Sequence, residues 1–199
     1  MNSRQIVIAV VVLLTASLGM ALHAWHMRKR ARNAAPAAYS GSVAPPASGP
    51  TEQATLYIAD DNSGELRPQQ ASIPLPEDRQ QRAQELVRTL LNISINKNSS
   101  HPIAPGSDVR DVYLVDPGVA VIDMNSAFAD GHRSGILVED LTVASLVETV
   151  AQNIPGILRV KILVNGQERD TLAGHADLSI FYDVQSANLL VGQTPAASQ

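Results

Sequence analysis

No cysteine occurs among the 199 residues. That excludes a disulfide framework, thiolate zinc sites, a thiol nucleophile and an acylated lipobox cysteine. It leaves the redox compartment open, because a chain without thiols suits either. Complete catalytic motifs are missing too. There is no G-x-S-x-G elbow for a serine hydrolase, and VDPGVAVID has too few glycines to cradle a phosphate and reads as a hairpin. No internal repeat is visible. Acidic residues are absent from the first 32 positions, which hold five of the fifteen basic ones. The remainder carries ten basic against nineteen acidic residues, a formal −9. A domain that acidic lacks the phosphate-neutralising surface on which nucleic-acid affinity depends, so no nucleic-acid partner is expected.

What is present begins with an apolar run. Residues 6–22, IVIAVVVLLTASLGMAL, carry no charge. Extended through Trp25 the run reaches about 20 residues, enough at about 1.5 Å each to span a hydrocarbon core of about 30 Å. His23, Trp25 and His26 then fall at headgroup level, where an aromatic belt is favoured. The run reads as an uncleaved transmembrane helix in contact with membrane lipid. The other reading is a cleaved signal peptide, with Gly19-Met20-Ala21 as a loose small-x-small site; the apolar run is longer than the usual core of such a peptide. Arg28, Lys29, Arg30 and Arg32 follow the span, which by the positive-inside rule alone would put the rest of the chain in the cytoplasm.

Composition divides the chain. Residues 1–32 are the anchor with its basic flank. Residues 33–52 are rich in Ala, Pro, Ser and Gly, cannot pack a core and read as a flexible tether. Residues 53–184 are the folded domain, and 185–199 a poorly ordered tail.

Within the domain, residues 55–59 (TLYIA) alternate as a strand before the turn-rich DDNSG. Residues 66–73 form a second extended piece, which Pro68 assigns to an edge. Pro76-Glu77-Asp78 opens a helix whose apolar positions Ala83, Leu86, Val87, Leu90 and Leu91 repeat at three and four. Residues 109–115 and 119–124 read as a hairpin around Asp116-Pro117-Gly118. A polar loop, 125–135, precedes a second amphipathic helix over 138–153. Val143, Leu146, Val147, Val150 and Ile154 make its buried stripe; Thr142, Ser145, Thr149 and Gln152 form a polar row that reads as a solvated face. Residues 159–164 are a strand, Asn165-Gly166 is a hairpin turn in which both residues tolerate positive φ, and the returning strand enters DTLAGHADL. This order predicts an α+β fold: two helices packed on one face of a mixed, mostly antiparallel sheet, preceded by a transmembrane helix.

The ordered pieces TLYI, PIAPGSDVRDVYLVDPGVAVIDMNSAF, SLVETV, IPGILRVKILVNG and TLAGHADL resemble a GerMN domain, the module named from the spore-germination and sporulation protein GerM. The resemblance covers roughly residues 53–180, and N-terminal anchoring is similar to many members. It implies an extracytoplasmic module of the cell envelope that binds an envelope protein or cell-wall ligand, with no catalytic residue and no cofactor to carry over. It also implies a domain on the far side of the membrane, against the basic flank. The tether, whose one charged residue is Glu52, suits that side, though it would serve either. GerM itself has two tandem copies, whereas one is present here.

Candidate chemistry concentrates in two places. Asp123, Asn125, Asp130, His132, Ser134 and Glu139 lie in or beside the long polar loop, and long polar loops on rigid sheets often carry recognition. His175 and Asp177 could ligate a metal, but a stable site needs three or four ligands, and the spacing demands no third from His101, His132 or Asp123. The structural reading is that Gly174 is a positive-φ corner whose neighbours His175 and Asp177 bond the turning backbone. The other functional class is an envelope hydrolase acting on glycan or peptide. It would use either a Ser–His–acid set from the loop or the carboxylate pair Asp123 and Glu139. A binding or assembly module, non-catalytic, is the expected function.

Overall fold

The computed structural model describes residues 50–190 apart from 75 and 116, with backbone alone for 188–190. The expected membrane helix, the tether up to residue 49 and residues 191–199 of the tail lie outside the described residues; Thr51 and Glu52 belong to the first strand and 185–190 to a helix, so the ordered domain is wider at both ends than expected. No helix among those described is long and apolar enough to cross a membrane.

Strands β1 (Thr51–Asp60) and β2 (Glu65–Pro74) form an antiparallel hairpin. Its turn is closed by Asp60, whose Oδ1 accepts from the amides of Asn62 at 2.9 Å and Ser63 at 3.3 Å. Pro68 stands opposite Tyr57 on the outer strand, where its missing N–H breaks no ladder bond. Helix α1 (Arg79–Ile95) starts at Asp78, which caps the amide of Gln81 at 2.9 Å.

Strands β3 (Val109–Val115) and β4 (Val119–Met124) pair antiparallel. A short helix α2 (Ser126–Asp130) and the long helix α3 (Ile136–Asn153) then carry the chain to β5 (Arg159–Val164), which runs parallel to β4. The two-residue β6 (Tyr182–Asp183) closes the order β3-β4-β5-β6, and α4 (Val184–Leu190) follows. The fold is α+β with a mixed sheet. Leu86, Leu90, Val112, Ile122, Val147, Val150 and Ile162 are buried in one core that joins α1, α3 and this sheet.

Four elements differ from the sequence expectation. Residues 125–135 are not all loop: Asn125 accepts from the amide of Phe128 at 3.2 Å and starts α2, which buries the Phe128 ring. DTLAGHADL is not a strand. Its amides bond a buried carboxylate instead of a neighbouring strand, and β5 finds its next partner only at Tyr182–Asp183.

The extended segments build two sheets rather than one, and the polar row of α3 explains why. Thr142, Ser145 and Thr149 are buried, while Gln152 is exposed and Asn153 completes the row. Thr149 Oγ1 accepts from the Tyr57 amide at 3.0 Å, and Ser145 Oγ donates to the Tyr57 carbonyl at 2.5 Å. Asn153 does both for Thr55, accepting at 3.1 Å and donating at 2.7 Å. Ser100 Oγ donates to the Ala59 carbonyl at 2.7 Å. The free edge of β1 is thereby satisfied by side chains, so no further strand can join it. What reads as a solvated face is a clamp on a strand edge.

Candidate functional site around the third helix

Of the polar groups nominated by the sequence, Glu139, His132, Ser134 and His175 gather at the first turns of α3. Glu139 is 0 % exposed there. Its Oε2 accepts from the amides of Ala173, His175 and Ala176 at 3.0, 2.9 and 2.9 Å; its Oε1 accepts from the amide of Gly135 at 3.1 Å and from His175 Nδ1 at 2.9 Å. Burial by itself would raise this carboxyl. The His175 side chain and the amides of Ala173, His175 and Gly135 outweigh it and bring the pKa down to about 2. The position at a helix N-terminus favours the same negative charge. The segment 173–176 can wrap a point charge because Gly174 adopts φ +121°, a conformation that L side chains rarely take.

His175 therefore uses its ring on Glu139, and its amide as well. Ser134 Oγ lies 3.4 Å from the same Nδ1. A serine relay needs the hydroxyl and the acid at opposite ring nitrogens, so this trio cannot run one. Asp177 accepts from Ser179 twice, at 2.8 Å from its amide and 2.6 Å from its hydroxyl, and closes a local turn.

One helical turn further on, Thr142 Oγ1 meets two imidazoles: His101 Nε2 at 2.6 Å and His132 Nε2 at 2.8 Å. His101 Nδ1 sits 2.5 Å from Asp61 Oδ1, and His132 Nδ1 is 2.8 Å from the Arg133 carbonyl. Arg133 closes the ring of contacts by donating to Asp61 Oδ2 at 2.5 Å and to the Pro102 carbonyl at 3.2 Å. Burial lowers both histidines from their ordinary value; for His101 the Asp61 carboxylate opposes this, and for His132 the Arg133 carbonyl does. Asp61 and Arg133 escaped sequence reasoning, Thr142 entered it only in a row read as a solvated face, and His101 only as a spare ligand. They come from separate segments, so no spacing could have grouped them.

The remaining nominated residues are engaged elsewhere. Asp123 is buried in β4, accepts from the Gly166 amide at 2.6 Å and lies 3.7 Å from Arg110 Nε. It supports the Asn165-Gly166 turn, where Asn165 has φ +54°. Asn125, besides capping α2, accepts from the Asp108 amide and donates to the Gly106 carbonyl. Asp130 is at the surface, paired with Arg169 at 2.7 Å. Asp123 and Glu139 each have their own amide donors rather than facing a shared space. Among the described residues no group of three or more His, Asp or Glu side chains could hold a metal ion.

A different surface carries apolar side chains to solvent. The registers place Tyr113, Val121 and Lys161 side by side, and Val115, Val119 and Arg159 in the next row. Lys161 is itself buried, its Nζ donating to the carbonyls of Leu178 and Ser179, so the exposed part of this face lies over β3 and β4 and at Arg159. Side chains alternate faces along a strand, so these rows share the face opposite Val112, Ile122 and Ile162 in the core. Tyr113 is 45 % and Val115 51 % exposed. Phe181, 47 % exposed, extends the patch with its ring 5.3 Å from the Arg159 guanidinium, and Leu158, next to Arg159, and Ile180, next to Phe181, are exposed as well.

The family profile described as Germane, sporulation and spore germination, matches residues 55–170. No curated protein matches. Among the solved structures to which the chain is similar are the following three. The tandem GerMN domains of the sporulation protein GerM from Bacillus subtilis are 24 % identical with a TM-score of 0.52, over 68 % of this chain and 47 % of that one. The first GerMN domain of the same protein is 23 % identical with a TM-score of 0.44, over 64 % and 93 %. A candidate lipoprotein from Clostridium perfringens is 21 % identical with a TM-score of 0.48, over 69 % and 90 %. The likeness to the tandem structure is one of fold, and the chain spans about half of that molecule's length.

Proposed function

The chain belongs to the Germane family, and from that premise we propose that it is a single-pass membrane protein holding one extracytoplasmic binding or assembly domain in the cell envelope. In this reading residues 1–32 are the anchor and 33–50 the tether; the domain runs from Thr51 of β1 through α4 to Leu190, with Ala187 in its core, and 191–199 are a tail. The domain is non-catalytic, needs no cofactor, and its partner is an envelope protein that presents an apolar surface. Both long helices cover one face of the four-stranded sheet; the other, apart from Lys161 under residues 178–179, is left for the partner.

The observation that carries the reading is the exposed apolar face around Tyr113, Val115 and Phe181. Soluble domains seldom leave such a contiguous patch to water unless something docks there. The polar cluster on α3 supports the non-catalytic part, since its carboxylate and its histidines hold neighbouring segments in place.

Crosslinking in intact membranes followed by pull-down tests the proposal. The wild-type chain should capture one envelope protein reproducibly, and Val115→Glu, which leaves the core untouched, should abolish capture. Equal capture by both chains would remove the sheet face as the docking surface. Sidedness has its own test, because the chain lacks cysteine. Ser48→Cys in the tether should react with a membrane-impermeant maleimide in intact cells; labelling only after permeabilisation would put the domain in the cytoplasm.

A further inference from the structure

We propose that His101, Thr142 and His132 form a one-proton switch that sets how firmly the loop 131–135 is tied to the turn of the first hairpin. The inference rests on counting hydrogens and is independent of the binding role above.

An ionised carboxylate and a backbone carbonyl only accept hydrogen bonds. Asp61 at 2.5 Å from His101 Nδ1, and the Arg133 carbonyl at 2.8 Å from His132 Nδ1, therefore each require a hydrogen on that nitrogen. A neutral imidazole has only one N–H, so both rings then present a lone pair at Nε2. Both lone pairs point at the same atom, Thr142 Oγ1, at 2.6 and 2.8 Å. A hydroxyl has a single hydrogen to give, and the Val138 carbonyl at 3.0 Å competes for it. With both rings neutral, at least one of the two short contacts sets lone pair against lone pair.

One added proton completes the chain. The charged ring donates Nε2–H to Thr142, and Thr142 donates its own hydrogen to the other ring. His101 is the ring that takes the charge, because Asp61 faces it directly. A proton shared on the Asp61 side of that contact gives the same total. The hydroxyl could accept from a second imidazolium, but charge opposes it. The ring centroids are 6.4 Å apart, which at an effective dielectric of about 20 separates the two protonation steps by on the order of two pH units.

The surroundings hold few other charges. Asp61 faces His101 from the hairpin turn, Arg133 adds a positive charge from the loop, and Glu139 acts on His132 from α3. Helix α2 contributes the Phe128 ring, 6.0 Å from His132. Helix α1 contributes uncharged Leu90, Leu91 and Ser94, which line a cavity of about 10 Å³ beside His101 and Thr142. Burial lowers both rings, so the first proton arrives on the acid side of the ordinary histidine midpoint. Above that point His101 stays pinned by Asp61, and the contact that opens is the one to His132. His132 heads the loop that also carries Arg133 and Ser134. Mild acidity clamps this loop; neutrality loosens it.

Histidine ring NMR on the full-length chain, followed against pH, tests this. His101 and His132 should respond together to a single step below about pH 6.5, with the next step lower still or lost to unfolding. Thr142→Ser should keep the joint step. Thr142→Val should end the joint response: each ring should follow its own step, the two separated by charge repulsion alone. His132→Gln supplies a second route should Thr142→Val fail to fold, and should move the His101 midpoint by about one pH unit. Rings that titrate independently in the wild type would overturn the switch. So would a Thr142→Val profile identical to wild type, or a His101 midpoint indifferent to His132→Gln.

Discussion

Glu139 and Thr142 stand one turn apart on the same helix and solve opposite problems. Glu139 has two oxygens and five donors aimed at them. Thr142 has one hydrogen and three acceptors around it, two imidazoles and the Val138 carbonyl. An oversupply of donors fixes a charge so firmly that ordinary pH cannot remove it. A shortage of hydrogens leaves a bond that exists only when a proton comes from solution. Both groups are buried. Burial makes a polar group consequential, and the donor count decides whether it is permanent or titratable.

The largest effect is expected where the supply is richest. Glu139→Ala leaves the amides of Ala173, His175 and Ala176 unpaired and should destabilise the domain by about 3–5 kcal/mol. Denaturant unfolding measures it, and faster amide exchange over 173–176 locates it. A loss no greater than that of Thr142→Val would break the contrast.

The pH profile sharpens the same point. The Glu139 pKa is depressed from 4.5 to about 2 in the folded domain. Its stabilisation is therefore fully present above about pH 4.5 and is lost as pH falls through about 2. Thermal unfolding between these limits should steepen with acid in the wild type, and Glu139→Gln should flatten that part of the curve. An unaltered curve would mean that the carboxyl does not hold its charge as described.

Thr149 is a control on the same helix, a buried hydroxyl that accepts from a backbone amide. Thr149→Val strands the Tyr57 amide and should cost about 1–2 kcal/mol at every pH. Gln152→Ala, one step off the row and exposed, should change stability by less than about 0.5 kcal/mol. Equal losses at 149 and 152 would return the row to the solvated face that periodicity suggested.

His175→Ala should cost about 1 kcal/mol, because the ring is partly exposed while the amides keep their carboxylate. The smallest expected change in stability is Val115→Glu, within about 0.5 kcal/mol. Its effect should fall on partner capture instead. A large loss of stability there would show that Val115 belongs to the core.

Several elements were legible in the sequence. The β3–β4 hairpin falls on residues 109–115 and 119–124 as its β-rich runs require. Asp78 caps α1, and Asn165-Gly166 turns with two positive φ values. The family was legible as well, from motifs whose order no single piece could supply. The second helix was placed within two residues of its start, Ile136. Its polar row was placed too, but the meaning of that row was not. DTLAGHADL read as a strand because its composition does not reveal that a carboxylate more than thirty residues upstream takes its amides.

Local patterns alone determined where this chain turns and which stripes are apolar, because those depend on neighbours within a few residues, and the order of such pieces along the chain determined which family it joins. Tertiary structure alone decided what satisfies the polar groups. Thr149 would look the same in sequence whether it faced water or the open edge of a strand; its partner, Tyr57, is 92 residues away. His101 and Thr142 are 41 residues apart, and the shortage of hydrogens between them exists only once folding has brought two imidazoles to one hydroxyl. Hydrogen bonds act over about 3 Å in space and are indifferent to separation along the chain.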